Sequence, residues 1–341
     1  MKKIISLAIA AALVAPVAAM ADATVYGKIR QSVDLVDDER TGDDEWQIND
    51  RTSRIGFKGS EDLGNGLKAV YKLEYGVKIS TSTGASNEFS GDGTLGARNA
   101  FVGLAGGFGT FLVGRHDTPL KMSTGSLDYF ADTVGDNNSS LTEDLLDLRA
   151  DGTVAYVSPS MAGLTLAVAL VPGEDTDGVV GEDDASSLAD AYSLAAMYSN
   201  GGIYASIAFE AADVGTSVNP PLASSGADDH EQVRLGLGYD GGAWKIGGVY
   251  ATVENAVDDA TSYNINAGFK VGSGMIKAKY FDVEQDGTGN LFGGYTHNGF
   301  VVGYDHNLSK RTQVSANLLT SERDSDGAET NILSFQMNHN F

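Results

Sequence analysis

The chain reads as all-β: a sixteen-stranded antiparallel transmembrane β-barrel. Three observations point there. Apolar and polar residues alternate with period two in stretch after stretch, as one face of a strand turns to lipid and the other to water. The connections between these stretches are alternately short and long. The first residues also have the layout of an export signal.

The reading along the chain begins with residues 1–21. Lys2 and Lys3 precede an apolar run from Ile4 to Val17, and Ala19-Met20-Ala21 follows as a small-residue cleavage site. This is a secretory signal, too short for a spanning helix, and it places the mature start at Asp22. No later segment is long and apolar enough to span as a helix. A membrane passage therefore requires a closed barrel, because lipid cannot satisfy an open sheet edge. Glycine is abundant at 43 residues and proline scarce at 6, which suits paired strands and tight turns. Cysteine is absent, which excludes disulfides and thiol chemistry. The formal charge of −23, lower still once Lys2 and Lys3 are removed, excludes nucleic acid as a partner.

Sixteen alternating runs follow, at 24–36, 47–60, 66–80, 96–105, 108–116, 151–158, 162–171, 190–199, 202–212, 231–240, 243–254, 261–271, 274–285, 298–307, 311–322 and 329–341. Seven connections are tight and rich in Gly, Asn, Asp or Ser: 61–66, 106–107, 159–161, 200–201, 240–242, 272–273 and 308–310. Eight are longer and polar: 37–46, 81–95, 117–150, 172–189, 213–230, 255–260, 286–297 and 323–328. The two sets alternate strictly. An even-stranded barrel with both termini on the periplasmic side requires that sorting; a secreted β-sandwich does not.

Parity then assigns the faces. In the first run Val25, Gly27, Ile29, Val33 and Leu35 share one side, opposite Tyr26, Lys28, Arg30, Ser32 and Asp34. In the third, Leu67, Tyr71, Leu73, Tyr75 and Val77 oppose Lys68, Lys72, Glu74 and Lys78. A charge facing lipid at mid-depth costs about 2–4 kcal/mol, so the charged side is the lumen. In the last run Leu333, Phe335, Met337, His339 and Phe341 take the lipid side. Tyr71, Tyr75, Tyr239, Trp244, Phe335 and Phe341 are candidates for aromatic girdles. A barrel of about sixteen strands leaves an aqueous channel, so the expected function is passive passage of ions and small hydrophilic solutes.

The connection 117–150 is the longest. It carries Asp117, Asp128, Asp132, Asp136, Glu143, Asp144 and Asp147, interspersed with Leu127, Tyr129, Phe130, Leu141, Leu145, Leu146 and Leu148. Those apolar residues give it something to pack on a wall, so it is expected to fold into the lumen. By parity Lys28, Arg30, Arg54, Lys72 and Arg149 line the wall opposite. Cations facing an acidic loop across an aperture would order polar solutes and set ion preference. At the outer mouth, 37–46 and 172–189 are densely acidic and would gather cations within roughly 8–10 Å. They are candidate weak sites for Ca²⁺ or Mg²⁺, although Gly173 breaks an EF-hand pattern at Asp175-Thr-Asp-Gly178. The five histidines lack metal-ligand spacing, and no serine lies in a nucleophile elbow, so no catalysis or cofactor is expected.

Ser53-Arg-Ile-Gly-Phe-Lys-Gly-Ser-Glu-Asp-Leu-Gly-Asn-Gly-Leu-Lys-Ala-Val70 resembles the second hairpin of the Gram-negative trimeric general porins. Arg98-Asn-Ala-Phe-Val-Gly-Leu-Ala-Gly-Gly-Phe-Gly109 with Val113-Gly-Arg115 does so too. Tyr156-Val-Ser-Pro159, His306-Asn-Leu-Ser-Lys-Arg311 and the terminal Phe341 also fit. The resemblance spans the mature chain. It implies a homotrimer in outer-membrane lipid, lumen arginines at Arg54, Arg98 and Arg149, and Phe341 as the membrane-assembly terminus. Strict alternation with Ala100 and Val102 turns Arg98 outward, so a bulge is required there. Leu112 stands where family members often carry a charged wall residue. A substrate-specific outer-membrane channel is the near alternative. An enzyme or adhesin on a plugged barrel is the distant one.

Overall fold

The computed structural model describes residues 23–39, 42–80, 95–137, 147–172, 188–212, 230–254, 258–287 and 296–341. The signal expected at 1–21 lies outside them. Strand segments follow in order: β1 (Thr24–Asp38), β2 (Asp43–Asp50), β3 (Arg54–Gly64), β4 (Leu67–Val77), β5 (Leu95–Gly106) and β6 (Gly109–Asp117). After a short helix α1 (Pro119–Thr124) come β7 (Arg149–Val157), β8 (Leu164–Val171), β9 (Ala191–Asn200), β10 (Ile203–Ala212), β11 (His230–Asp240) and β12 (Trp244–Glu254). The series ends with β13 (Asp258–Val271), β14 (Gly274–Gly287), β15 (His297–Asn307), β16 (Thr312–Arg323) and β17 (Glu329–Asn340).

Every neighbouring pair is antiparallel, and β17 returns to β1 with Val33 opposite Phe335. The sheet therefore has no free edge, which is the condition for spanning lipid. β1 pairs with both β2 and β3, which are two halves of one stave. The barrel thus has the sixteen staves the sequence predicts. The run read as 47–60 is broken at Arg51–Ser53, where Thr52 adopts φ 57°. Asp50 caps the break by accepting from the Ser53 amide at 2.8 Å. Left-handed backbone is rare for a β-branched residue and marks a built feature.

Several connections are tighter than the sequence suggests. The strands flanking 37–46 reach Asp38 and Asp43, and β3 runs on to Gly64, leaving Asn65-Gly66 as the turn. Both turn residues have positive φ, 52° and 77°, the hairpin geometry that matches strand twist.

Burial is inverted relative to a water-soluble sheet. On β17 Ser334 and Gln336 are 0% and 3% exposed, whereas Phe335 and Met337 are 51% and 55% exposed. The apolar side faces out, and the polar side is covered from within by the segment between β6 and β7. Tyr239 and Trp244, both outward-facing, meet at 5.3 Å between ring centres beside the turn at 241–242.

Candidate functional site

The segment after β6 enters the lumen as its apolar residues predict. Thr118 caps α1, and its amide donates to the Leu148 carbonyl at 3.2 Å, tying the two feet of the loop together. Leu120 packs on a floor of Ala167, Ala195 and Ala208. Leu127 lies against Val249 and Ala251. Phe130 and Val134 pack on Phe281, Val301, Leu319 and Ile332. The loop thus runs from β8–β11 across to β14–β17 along the inner wall.

The wall is shaped to receive it. A Cβ on Gly238 or Gly247 would stand 2.6 or 2.9 Å from the Leu127 methyls, and one on Gly303 would stand 3.0 Å from the Phe130 ring. Lumen-facing glycines on β11, β12 and β15 therefore form sockets for the loop's apolar knobs. Lysines grip the same stretch. Lys279 donates to the Asn137 side chain at 2.6 Å, and Lys245 and Lys277 lie 3.7 and 4.5 Å from the Tyr129 and Phe130 ring centres.

At the tip, Asp132 meets the wall. Arg54 donates to its Oδ2 at 2.7 Å, Arg30 pairs with the same oxygen, and Thr52 donates to Oδ1. The break in the second stave is what brings Thr52 to this point. Gln336 adds a bond to the Asp132 carbonyl at 3.0 Å. Burial alone would raise the Asp132 carboxyl, but Arg54 and Arg30 outweigh it and hold it below the usual carboxylate range. Where the sequence suggested cations and acid facing across a gap, the two touch.

The other expected acids divide by role. Asp128 accepts from the Phe130 and Asn137 amides at 2.9 and 3.1 Å, and Asp136 accepts from the Asp132 amide, so both brace the loop internally. Asp117 pairs with Arg149 at 2.9 Å, and Asp147 with Arg234 at 2.7 Å, both at the feet. Glu143 and Asp144 lie outside the described residues, as does most of 172–189.

Among the expected cations, Lys28 neighbours Arg54 across the β1–β3 ladder. Arg98 does point inward. The β4–β5 register shifts between Leu73 and Tyr75, so that Arg98 and Asn99 together oppose Glu74. This is the bulge that Arg98 required. Its Nε donates to Glu74 at 2.9 Å, Lys72 approaches the same carboxylate at 3.2 Å, and Tyr26 donates to it at 2.7 Å. Phe341 exchanges two backbone bonds with Gly27, each 3.0 Å, and its ring fills the space a Cβ there would need.

Sequence reasoning missed Glu74, Lys58, Lys277, Lys279 and Arg234 as site residues. Parity had already put Glu74 beside Lys72 on the lumen side, so that signal was available. For Lys58, whose ammonium stands 5.0 Å from the Tyr26 ring centre, the same alternation was enough. Among the described residues, no group of three or more His, Cys, Asp or Glu side chains is placed to hold a metal.

With this geometry in place, comparison with known proteins is informative. Residues 7–326 match the family described as Gram-negative porin. The chain is 29% identical to the major outer membrane protein P.IB of Neisseria gonorrhoeae, covering 100% of this chain and 99% of that protein. Among solved structures it is similar to the anion-selective porin from Comamonas acidovorans, with TM-score 0.74 and 23% identity over 94% of this chain and 100% of the other. It is also similar to OmpT of Vibrio cholerae in its trimer form, with TM-score 0.65 and 16% identity over 94% and 99%. At those identities the two structures speak to the fold.

Proposed function

The chain belongs to the Gram-negative porin family, and on that footing we propose that the described loop residues 118–137 form the constriction of its channel. It is an outer-membrane porin, a water-filled barrel for passive diffusion of ions and small hydrophilic solutes, and not an enzyme.

The observation that carries it is charge imbalance around the loop tip. Lys28, Arg30, Arg54, Lys58, Lys72 and Arg98 crowd one arc of wall, against Asp132 and Glu74, with Asp136 and Asp305 also acting on Arg30. Fixed surplus positive charge at the narrowest point favours anions, because permeant ions there are nearest the wall and least screened. Acid residues at the mouth act at greater distance and in bulk salt. The channel therefore prefers anions. Reversal potentials in planar bilayers under a salt gradient test this. Anion preference that falls in Arg54→Gln and Arg30→Gln supports the reading; a cation-selective wild type, or unshifted variants, overturns it.

The assembly reads as a homotrimer. On the outer face of β1 and β2, Gln31 donates to Asp50 at 2.8 Å amid outward-facing Ile29, Val33 and Ile48. A carboxylate at that depth is costly against hydrocarbon and reasonable against a second copy. Native mass spectrometry of the unheated protein should give three copies; a monomer would remove this account of Asp50.

A further inference from the structure

We infer that Arg234 is the positioning residue that bolts the base of the loop to the barrel, and that a quiet open channel depends on it. The inference rests on the loop being the constriction.

Arg234 lies on β11, opposite Ala208 in the β10–β11 ladder and far along the wall from Arg30 and Arg54. It is 0% exposed, which an arginine accepts only with partners that replace water. Its Nη1 donates to Asp147 at 2.7 Å and to the Thr124 hydroxyl at 3.1 Å. Thr124 ends α1 on the outgoing limb of the loop, and Asp147 stands on the returning limb. One guanidinium therefore ties both limbs to one wall stave. Lys121 closes the same cluster, lying 3.6 Å from Asp117 and 3.8 Å from Asp147. Arg149 completes the trailing foot through Asp117 and, at 3.0 Å, Asn99.

Besides the lysine and apolar contacts between them, the loop has two separated arginine clamps, at the Asp132 tip and at the Arg234 base. These have different electrical consequences. The tip cations reach water, with Arg30 and Arg54 side chains 15% and 12% exposed, so they act on permeating ions. The Arg234 charge is sealed behind α1, where it faces the carboxyl groups of Asp147 and Glu210. Removing Arg234 together with the Asp147 charge changes where the loop sits and leaves the net charge along the pore unchanged.

Charged hydrogen bonds of this kind set equilibria by roughly one to two powers of ten. In single-channel recordings of folded, heat-modifiable protein, Arg234→Gln is expected to raise the frequency of brief closures by about tenfold or more. The reversal potential of the charge-balanced double variant Arg234→Gln/Asp147→Asn should match wild type. Asp147→Asn should give the same flicker, and the double variant should be no worse than either alone, because both remove one link. The chain has no cysteine, so Leu120→Cys with Ala208→Cys offers a clean disulfide between α1 and the wall. Under oxidising conditions it should quieten the Arg234→Gln channel, and reductant should restore the flicker. A silent Arg234→Gln, flicker that persists under the oxidised lock, or a shift in the double variant's reversal potential as large as that of Arg54→Gln each overturns the bolt. Unshifted Arg54→Gln and Arg30→Gln would instead sink the constriction reading itself.

Discussion

Replacing Asp132 by asparagine separates the two things this carboxylate does. It removes one negative charge from the cationic arc, and it weakens the contacts to Arg54 at 2.7 Å, to Arg30 and to Thr52 that seat the loop tip. The electrical part can be sized. A unit charge about 8 Å from the ion path in a water-like dielectric is worth about 0.5 kcal/mol. It acts with opposite sign on anion and cation, so their ratio moves by about 1 kcal/mol, roughly fivefold in permeability ratio. Asp132→Asn should therefore become more anion-preferring by a few-fold, while Arg54→Gln moves the other way by a similar amount. Reversal potentials under potassium chloride gradients read the change directly. Because the amide keeps the shape of the side chain, a steric account expects no such opposition of sign. If Asp132→Asn moved toward cations, or if both variants moved together, charge at the loop tip would not be what sets selectivity.

Four further outcomes follow from the same geometry. Since the Asp132 carboxyl is held below its usual 3.8 by Arg54 and Arg30, the tip contact is intact at higher pH and is lost as pH falls through the lowered value. Channel noise should therefore stay flat down to about pH 4 and rise only below it, and noise that begins near neutrality would contradict the assignment. Glu74→Gln leaves buried Arg98 and its neighbour Lys72 short of an acceptor, which is expected to cost about 3–5 kcal/mol in urea unfolding from detergent. Gly247→Ala crowds the Leu127 socket and should cost about 1–3 kcal/mol, read as a lower melting temperature; an unchanged melting temperature would mean the knob is not seated there. Phe341→Ala removes the ring over Gly27, so refolding yield on unboiled gels should drop while the reversal potential of the folded fraction stays put.

Period two and the sorting of turns made the barrel legible from residues alone. The alternation in 329–341 is the clearest case: from Ile332 to Asn338 buried and exposed side chains take turns without a break. Arg98 shows how a departure from alternation can also be read. Its identity required a lumen position, its parity denied one, and the β5 bulge resolves the conflict. The inward fold of the long loop was foreseeable from Leu127 and Phe130, since apolar knobs on an acidic segment need a wall. What lay beyond reach was the pairing. Seven loop carboxylates look alike in sequence, yet Asp132 pairs with both Arg30 and Arg54, while Asp128 and Asp136 accept from the loop's own backbone.

Sequence by itself determined the number of staves, which side of each is wet, and that the interior stays open. These follow from local rules of strand geometry and from the cost of charge in hydrocarbon. Only the tertiary structure decided which charges meet. Ion pairing depends on distances of a few ångströms between residues about a hundred positions apart, such as Arg30 with Asp132. Those distances are set by the Thr52 break, the glycine sockets and the Arg234 contact acting together. No local pattern encodes that coincidence, because each part acquires its meaning only when the loop lies across the closed barrel.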